Sequence, residues 1–281
     1  MLDSISAELL KFRRHRATWG LVWIWPIGVT LVLLLAIAIQ VAKGEIGHGA
    51  SAAGWIDDAA DFWQVPAESI GRYLTGAFVA MVFAGEYGWN TWKLIVPHRA
   101  RHSLIAAKYV VALGLLVCGF ALGAALFNLL NWLKDLATGT PIPTGITAGA
   151  LLEAHGLAGL AALASILLTA AYTSLAAILT RSTIAALVIS LVITTLERLF
   201  RFFAPMLEGI APGLVGGLYR VLPGYHLANL SEWLTEGHVL VVPFPSGPFS
   251  MAPGASFAIV AAWTLGLIAL TFRVFRRQDI N

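Results

Sequence analysis

The sequence predicts an all-α integral membrane protein, and three observations carry that expectation. Of 281 residues, 58% are hydrophobic and only 12% charged, with a mean hydropathy of +0.80. A soluble domain carries about twice that charged fraction. Six long apolar runs punctuate the chain, and because lipid offers backbone N–H and C=O groups no partner, each must be helical. Lys and Arg are unevenly shared among the connectors, as in a chain oriented by its cations. A net charge of +3 is too small to argue for a nucleic-acid partner. The single cysteine, Cys118, lies inside an apolar run and excludes an internal disulfide.

The elements follow in chain order. Leu2, Ile5, Leu9 and Phe12 form one apolar stripe, with Glu8, Lys11 and Arg14 off it. That pattern predicts a short amphipathic helix lying on the inner leaflet; the alternative is an ordinary basic flank that sets topology. The first span is expected at 20–42. Its 23 uncharged residues exceed the apolar core of a signal peptide, so it reads as a retained helix despite the basic cluster before it and the small residues Ala36 and Ala38. Further spans are expected at 65–85, 108–133, 155–179, 183–204 and 252–275. The second is the least apolar, with Glu68 and Arg72 in its outer turns; the fifth is interrupted by Glu197, Arg198 and Arg201. With the N-terminus inside, twelve of the 18 Lys and Arg residues lie on the inner side, and both termini are cytoplasmic.

Two connectors stand out. Gly85 to Lys108 is the one inner connector of any size, and it concentrates Glu86, four fixed cations, two histidines and two tryptophans. The outer connector from Pro205 to Met251 is half apolar and broken by Pro205, Pro212 and Pro223, which suits short re-entrant or interfacial helices. The stretch VVPFPSGPF within it is expected to be extended, and Pro205 is expected to lie beyond the end of span five.

The opening SAELLKFRRHRATWG, an acid three residues before a lysine and then a basic cluster, resembles permease subunits of type-2 ABC exporters. So does the segment after the second span, where Gly85-Glu86-Tyr87, Thr91, Arg101 and Ala107-Lys108 stand in the family's pattern, with Asn90 where a glycine is commoner. LPGYHLANL, from Leu222 to Leu230, resembles the family's segment before the last span. The resemblance covers the whole chain in architecture. It implies six transmembrane helices, an N-terminal elbow helix (Glu8, Lys11, Phe12, Arg14), a cytoplasmic coupling helix and outer re-entrant helices. It further implies two permease halves, as homodimer or heterodimer, and two copies of a separate ABC ATPase subunit, in a bacterial-type plasma membrane. The chain has no G-x-x-x-x-G-K-[ST], so ATP hydrolysis would belong to that partner chain.

On this resemblance Glu86, Tyr87, Trp89, Thr91, Trp92, Lys93, Ile95, Arg99 and Arg101 are the candidate ATPase-coupling residues. Trp89, Trp92 and Val96 fall at i, i+3 and i+7, one face of a short helix that Pro97 ends. The plain alternative is that tryptophans and cations at a membrane edge anchor the helices there. Glu86 is expected to pair with Lys11 or Arg14. In the family spans two and five line the path between halves, so Arg72 is a candidate partner for Glu197, and Arg72, Glu197, Arg198 and Arg201 a candidate polar gate. The alternative is a structural or snorkelling ion pair.

A second class of function, a polytopic membrane enzyme acting on a lipid or prenyl substrate, rests on the D-D-x-x-D spacing of Asp57, Asp58 and Asp61. No second aspartate motif completes a metal cage, and the acids suit the start of a solvated outer helix. His98 and His102 have metal-ligand spacing, but Arg99 and Arg101 between them repel a cation. His155 and His226 are too isolated for paired ligation. No catalytic site and no cofactor are expected. Cargo is not legible beyond hydrophobic or amphipathic, and the export direction comes from the resemblance alone.

Overall fold

The computed structural model describes residues 2–44 and 49–279, which form an all-α membrane protein with one small β-hairpin. Helix α1 (Leu2–Arg13) has Asp3 in its first turn and Lys11 and Arg13 in its last, each matching the helix dipole. In α2 (Arg16–Leu21) the His15 side chain accepts the N–H of Ala17 as the cap. Helix α3 (Ile24–Lys43) ends at Gly44, whose φ of 66° is left-handed and favours glycine. Ser51 caps α4 (Ala52–Ala60), and a 3-10 turn (Asp61–Gln64) leads towards α5 (Ser69–Gly88). A four-residue α6 (Trp92–Ile95) and a 3-10 turn (Val96–His98) separate α5 from the long α7 (Arg101–Thr138). Helix α8 (Ala148–Thr180), capped by Thr147, is joined by a two-residue turn to α9 (Thr183–Glu208), capped by Ser182. Then come α10 (Pro212–Val221), α11 (Pro223–Glu236), the hairpin of β1 (Val242–Phe244) and β2 (Gly247–Phe249), and α12 (Pro253–Arg277).

Five of these helices, α3, α7, α8, α9 and α12, are long and apolar enough to cross a membrane. Helix α5, with Arg72 and Glu86 in its twenty residues, is not among them. Burial separates centre from rim: 78% of the most apolar window of α8 is buried, against 6% for α3. Helix α8 packs on α5, α9, α11 and α12, whereas α3 rests chiefly on α7 and leaves a broad apolar face open.

Several expectations need correction. The second helix does not begin at 65: the chain turns through Val65–Ala67 and folds back so tightly that a Cβ on Gly71 would lie 1.9 Å from the Val65 carbonyl oxygen. Pro205 does not end α9. It costs one ladder hydrogen bond, but the neighbouring Ala204 is fully buried in an aromatic cluster with Tyr219, Tyr225 and Phe244, and that packing carries the helix on to Glu208. VVPFPSGPF is a paired hairpin rather than a free extended strand. Asp57 and Asp58 sit in the second half of α4 and Asp61 at its C-terminal cap, because Ser51 starts the helix earlier.

Candidate functional site

The richest polar constellation joins α1, α5 and α7 where they meet the α5–α7 connector. Its centre is Lys108, only 1% exposed. The Lys108 Nζ lies 3.1 and 3.3 Å from the two Glu8 oxygens, 3.1 Å from Glu86 Oε1 and 2.9 Å from the Val82 carbonyl oxygen. Glu86 also pairs with Lys11 and accepts the Thr91 hydroxyl. Two carboxylates, two ammonium groups and a hydroxyl thus satisfy one another away from water, which makes burial of the charges tolerable. The partner of Glu86 is Lys11 rather than Arg14, which is exposed.

The amphipathic stripe of α1 divides. Phe12 is buried edge-on to Phe78 at 6.1 Å, and Ile5 packs on the same core, while Leu2 and Leu9 stay exposed. The polar Glu8 and Lys11 turn inward, drawn by Lys108 and Glu86.

The connector is tied down at both ends. Arg99 lies 3.2 Å from Asp3. Arg101 donates to the carbonyls of Phe275, Arg276 and Gln278 at 3.1, 3.0 and 2.6 Å, capping the C-terminal end of α12. Tyr87 donates to the Gln278 side chain, which donates to the Ile178 carbonyl at the end of α8. Trp92 does not share an outer face with Trp89. Asn90 takes φ 55°, a left-handed turn that asparagine tolerates and that stands where the family favours glycine. That turn separates the two indoles: Trp92 is 2% exposed and lies 4.6 Å from the Phe275 ring, while Trp89 is 60% exposed under the Lys11 ammonium. Ile95 is half-buried, and Lys93, Leu94 and Arg99 project outward.

A second constellation lies at the other end of α5. Arg72 Nη2 is 2.6 Å from Glu197 Oε2, and the guanidinium donates to Thr169 at 3.1 Å and Tyr172 at 2.7 Å. Tyr172 is 2.7 Å from Thr194, and Tyr73 the same distance from Thr195, so α5, α8 and α9 share one polar seam. Arg198 bonds Glu68 and Ser69, both at 2.7 Å. The four candidate gate residues are therefore neighbours, with Arg201 the one that no described carboxylate pairs.

The enzyme alternative finds no supporting geometry. Among the described residues, no three His, Cys, Asp or Glu side chains converge as a metal site. Burial, with Asp58 and Asp57 adding to it, raises the Asp61 carboxyl above its usual range. His98 lies in the 3-10 turn and His102 in α7, separated by extended Arg99 and Ala100. His155 accepts from Trp63 at 3.0 Å, and His226 contacts Ser256 and the Arg220 carbonyl at 3.0 Å each, both structural arrangements. Lys108 and Gln278 were not among the candidate site residues; the Ala107-Lys108 pair of the family's pattern was the visible signal for the first, and nothing in the sequence pointed to the second.

The chain is thus a multi-pass helical bundle with interlocked ionic seams at both ends of α5. Residues 4–197 match the family model for ABC-2 family transporter proteins, more than half of the chain, and the protein belongs to that family. It is accordingly a membrane permease subunit that associates with an ABC ATPase subunit. A search among curated proteins found no match.

Proposed function

We propose that this permease moves a hydrophobic or amphipathic substrate outward by alternating access, driven by two copies of the separate ATPase subunit. The working unit is two permease halves, alike or different, in a bacterial-type plasma membrane, with both termini cytoplasmic. Each half has six spans, α5 being the sixth crossing helix beside the five apolar ones. Helix α1 acts as the elbow, α6 with its flanking residues as the coupling helix, and α10 and α11 as the outer re-entrant pair.

One observation carries the reading. The exposed Trp89, Lys93, Leu94 and Arg99 project from a connector locked to α1, α5, α7 and α12 through Glu86, Lys108, Arg101 and Gln278. A force applied to that knuckle reaches four helices without passing through a flexible link. Trp92, Thr91 and Tyr87 act as its internal braces. At the far end of α5, the Arg72–Glu197 pair with Arg198 and Arg201 works as a polar gate that α5 can open by tilting.

The test is co-purification with the ABC ATPase subunit. Trp89→Asp with Leu94→Asp changes only exposed positions, so expression and melting temperature should hold while the ATPase is lost from the complex. Undiminished co-purification would remove the coupling assignment.

A further inference from the structure

Helices α8 to α12 enclose an apolar cavity of about 630 Å³, within the range of small-molecule sites. Its walls include Leu168, Ile193, Leu199, Phe203, Leu222 and Leu267. Beside it lies a polar cleft of about 210 Å³, bounded by Ser69, Arg198, Ser231 and Glu232. Glu197, Arg201 and Gly224 line both chambers. Gly224 keeps the shared wall thin, since a Cβ there would lie 3.3 Å from the Glu197 Cβ.

Three arginines and three glutamates line the polar cleft, but they do not all pair directly. Arg72 is matched by Glu197 and Arg198 by Glu68, but no carboxylate of the described residues lies within ion-pair distance of Arg201. Tyr219, another lining residue, is 1% exposed and its hydroxyl has no hydrogen-bond partner. Burial pushes the phenol up to about 12, with Arg201 opposing, so it stays a protonated donor. The Tyr219 hydroxyl is sealed from the chamber, so the charge left without an ion-pair partner at its edge is that of Arg201.

We propose that this cavity binds an anionic lipid, with an acyl chain in the apolar chamber and the headgroup in the polar cleft against Arg201. A neutral apolar molecule would leave Arg201 unmatched, and a free phosphate would leave the chamber empty. Glu197 is fourteen residues from the start of α9, roughly 20 Å at helical rise. In a hydrocarbon core about 30 Å thick, that sets the headgroup in the outer half under the orientation proposed above. The site is built within a single chain; its depth rests on the orientation proposed above, and Glu197 and Arg201 are shared with the proposed gate.

The full-length chain, purified and delipidated in detergent, would be incubated with phosphatidylglycerol, with phosphatidylcholine of the same acyl chains, or with glycerol 3-phosphate, and the retained molecules counted by native mass spectrometry. Phosphatidylglycerol should be retained about tenfold better than phosphatidylcholine, on the scale of one charge-assisted hydrogen bond. Glycerol 3-phosphate should not be retained. Arg201→Gln should abolish the preference while phosphatidylcholine retention holds, Arg201→Lys should keep it, and Leu267→Trp should lower retention of both lipids. Melting temperatures of the variants establish that each is folded. Equal retention of the two lipids by the wild-type chain, a preference that survives Arg201→Gln, or retention of glycerol 3-phosphate alone would overturn the proposal. Loss of ATPase association on changing the knuckle bears on the export reading and leaves this one untouched.

Discussion

Lys108 opens an apolar run in the sequence, yet its ammonium group lies under the bundle surface and neutralises Glu8 and Glu86 together. Removing one partner of a buried ionic group is far worse than removing the group, because the remaining charges stay desolvated. Lys108→Met should therefore destabilise the protein by about 3–5 kcal/mol, read as a drop in denaturation midpoint in detergent. Adding Glu86→Gln should restore part of the loss; a double variant no better than the single one would show that the network is not energetically coupled. His226 makes a pH-dependent contribution of the opposite origin. Its burial against Ser256 lowers its pKa below 6.5, with the Arg220 carbonyl opposing. The unfolded state then binds the proton more readily, so the stabilisation is complete above about pH 6.5 and declines as pH falls through that value. Amide exchange in α11, corrected for its intrinsic rate, should accelerate as pH falls below about 6.5, and His226→Gln should flatten that dependence.

Among elements, α5 and α9 pack tightly at Gly76, where a Cβ would lie 2.3 Å from Ser190 Oγ. Ser190 cannot rotate away freely, because its oxygen accepts the Thr173 hydroxyl at 2.8 Å. Gly76→Ala should cost about 1–3 kcal/mol, and Ser190→Ala alongside it should recover most of that; no recovery would mean the helices are spaced by other contacts. Long apolar runs made most helices legible, since hydropathy over twenty residues outweighs any local signal. The ion pair of Arg72 with Glu197 was legible through the resemblance, which sets spans two and five side by side, since ionisable groups at membrane depth need partners. The shared face for Trp89 and Trp92 failed at one residue: the periodicity assumes an unbroken helix, and left-handed Asn90 breaks it. The β-hairpin was hidden because its prolines argue against a ladder, and only an isolated two-stranded ribbon tolerates them. The adjoining cavities could not be read at all, since they depend on how six helices pack.

At the scale of the whole molecule, the two ends of the bundle have opposite character. One end gathers the basic segment of α1, the connector with Lys93, and the C-terminal Arg276 and Arg277 of α12, held together by Arg101. The other gathers Asp57, Asp58 and Asp61 near Glu236 of α11. Cations are retained on the cytoplasmic side during insertion, so the basic end should face inward, and the inner and outer ends should be joined by α5 as well as by the five apolar helices. Replacing Cys118 with serine leaves a chain without cysteine, into which Lys93→Cys or Glu236→Cys can be introduced singly at exposed positions. A membrane-impermeant maleimide should label Glu236→Cys in intact cells, and Lys93→Cys only after permeabilisation. The reverse pattern would mean that the whole protein is inverted or that α5 does not cross, and either would put the knuckle beyond reach of any ATPase. Labelling of both in intact cells would mean that one of α7, α8 and α9, the three apolar helices between these two positions, does not cross.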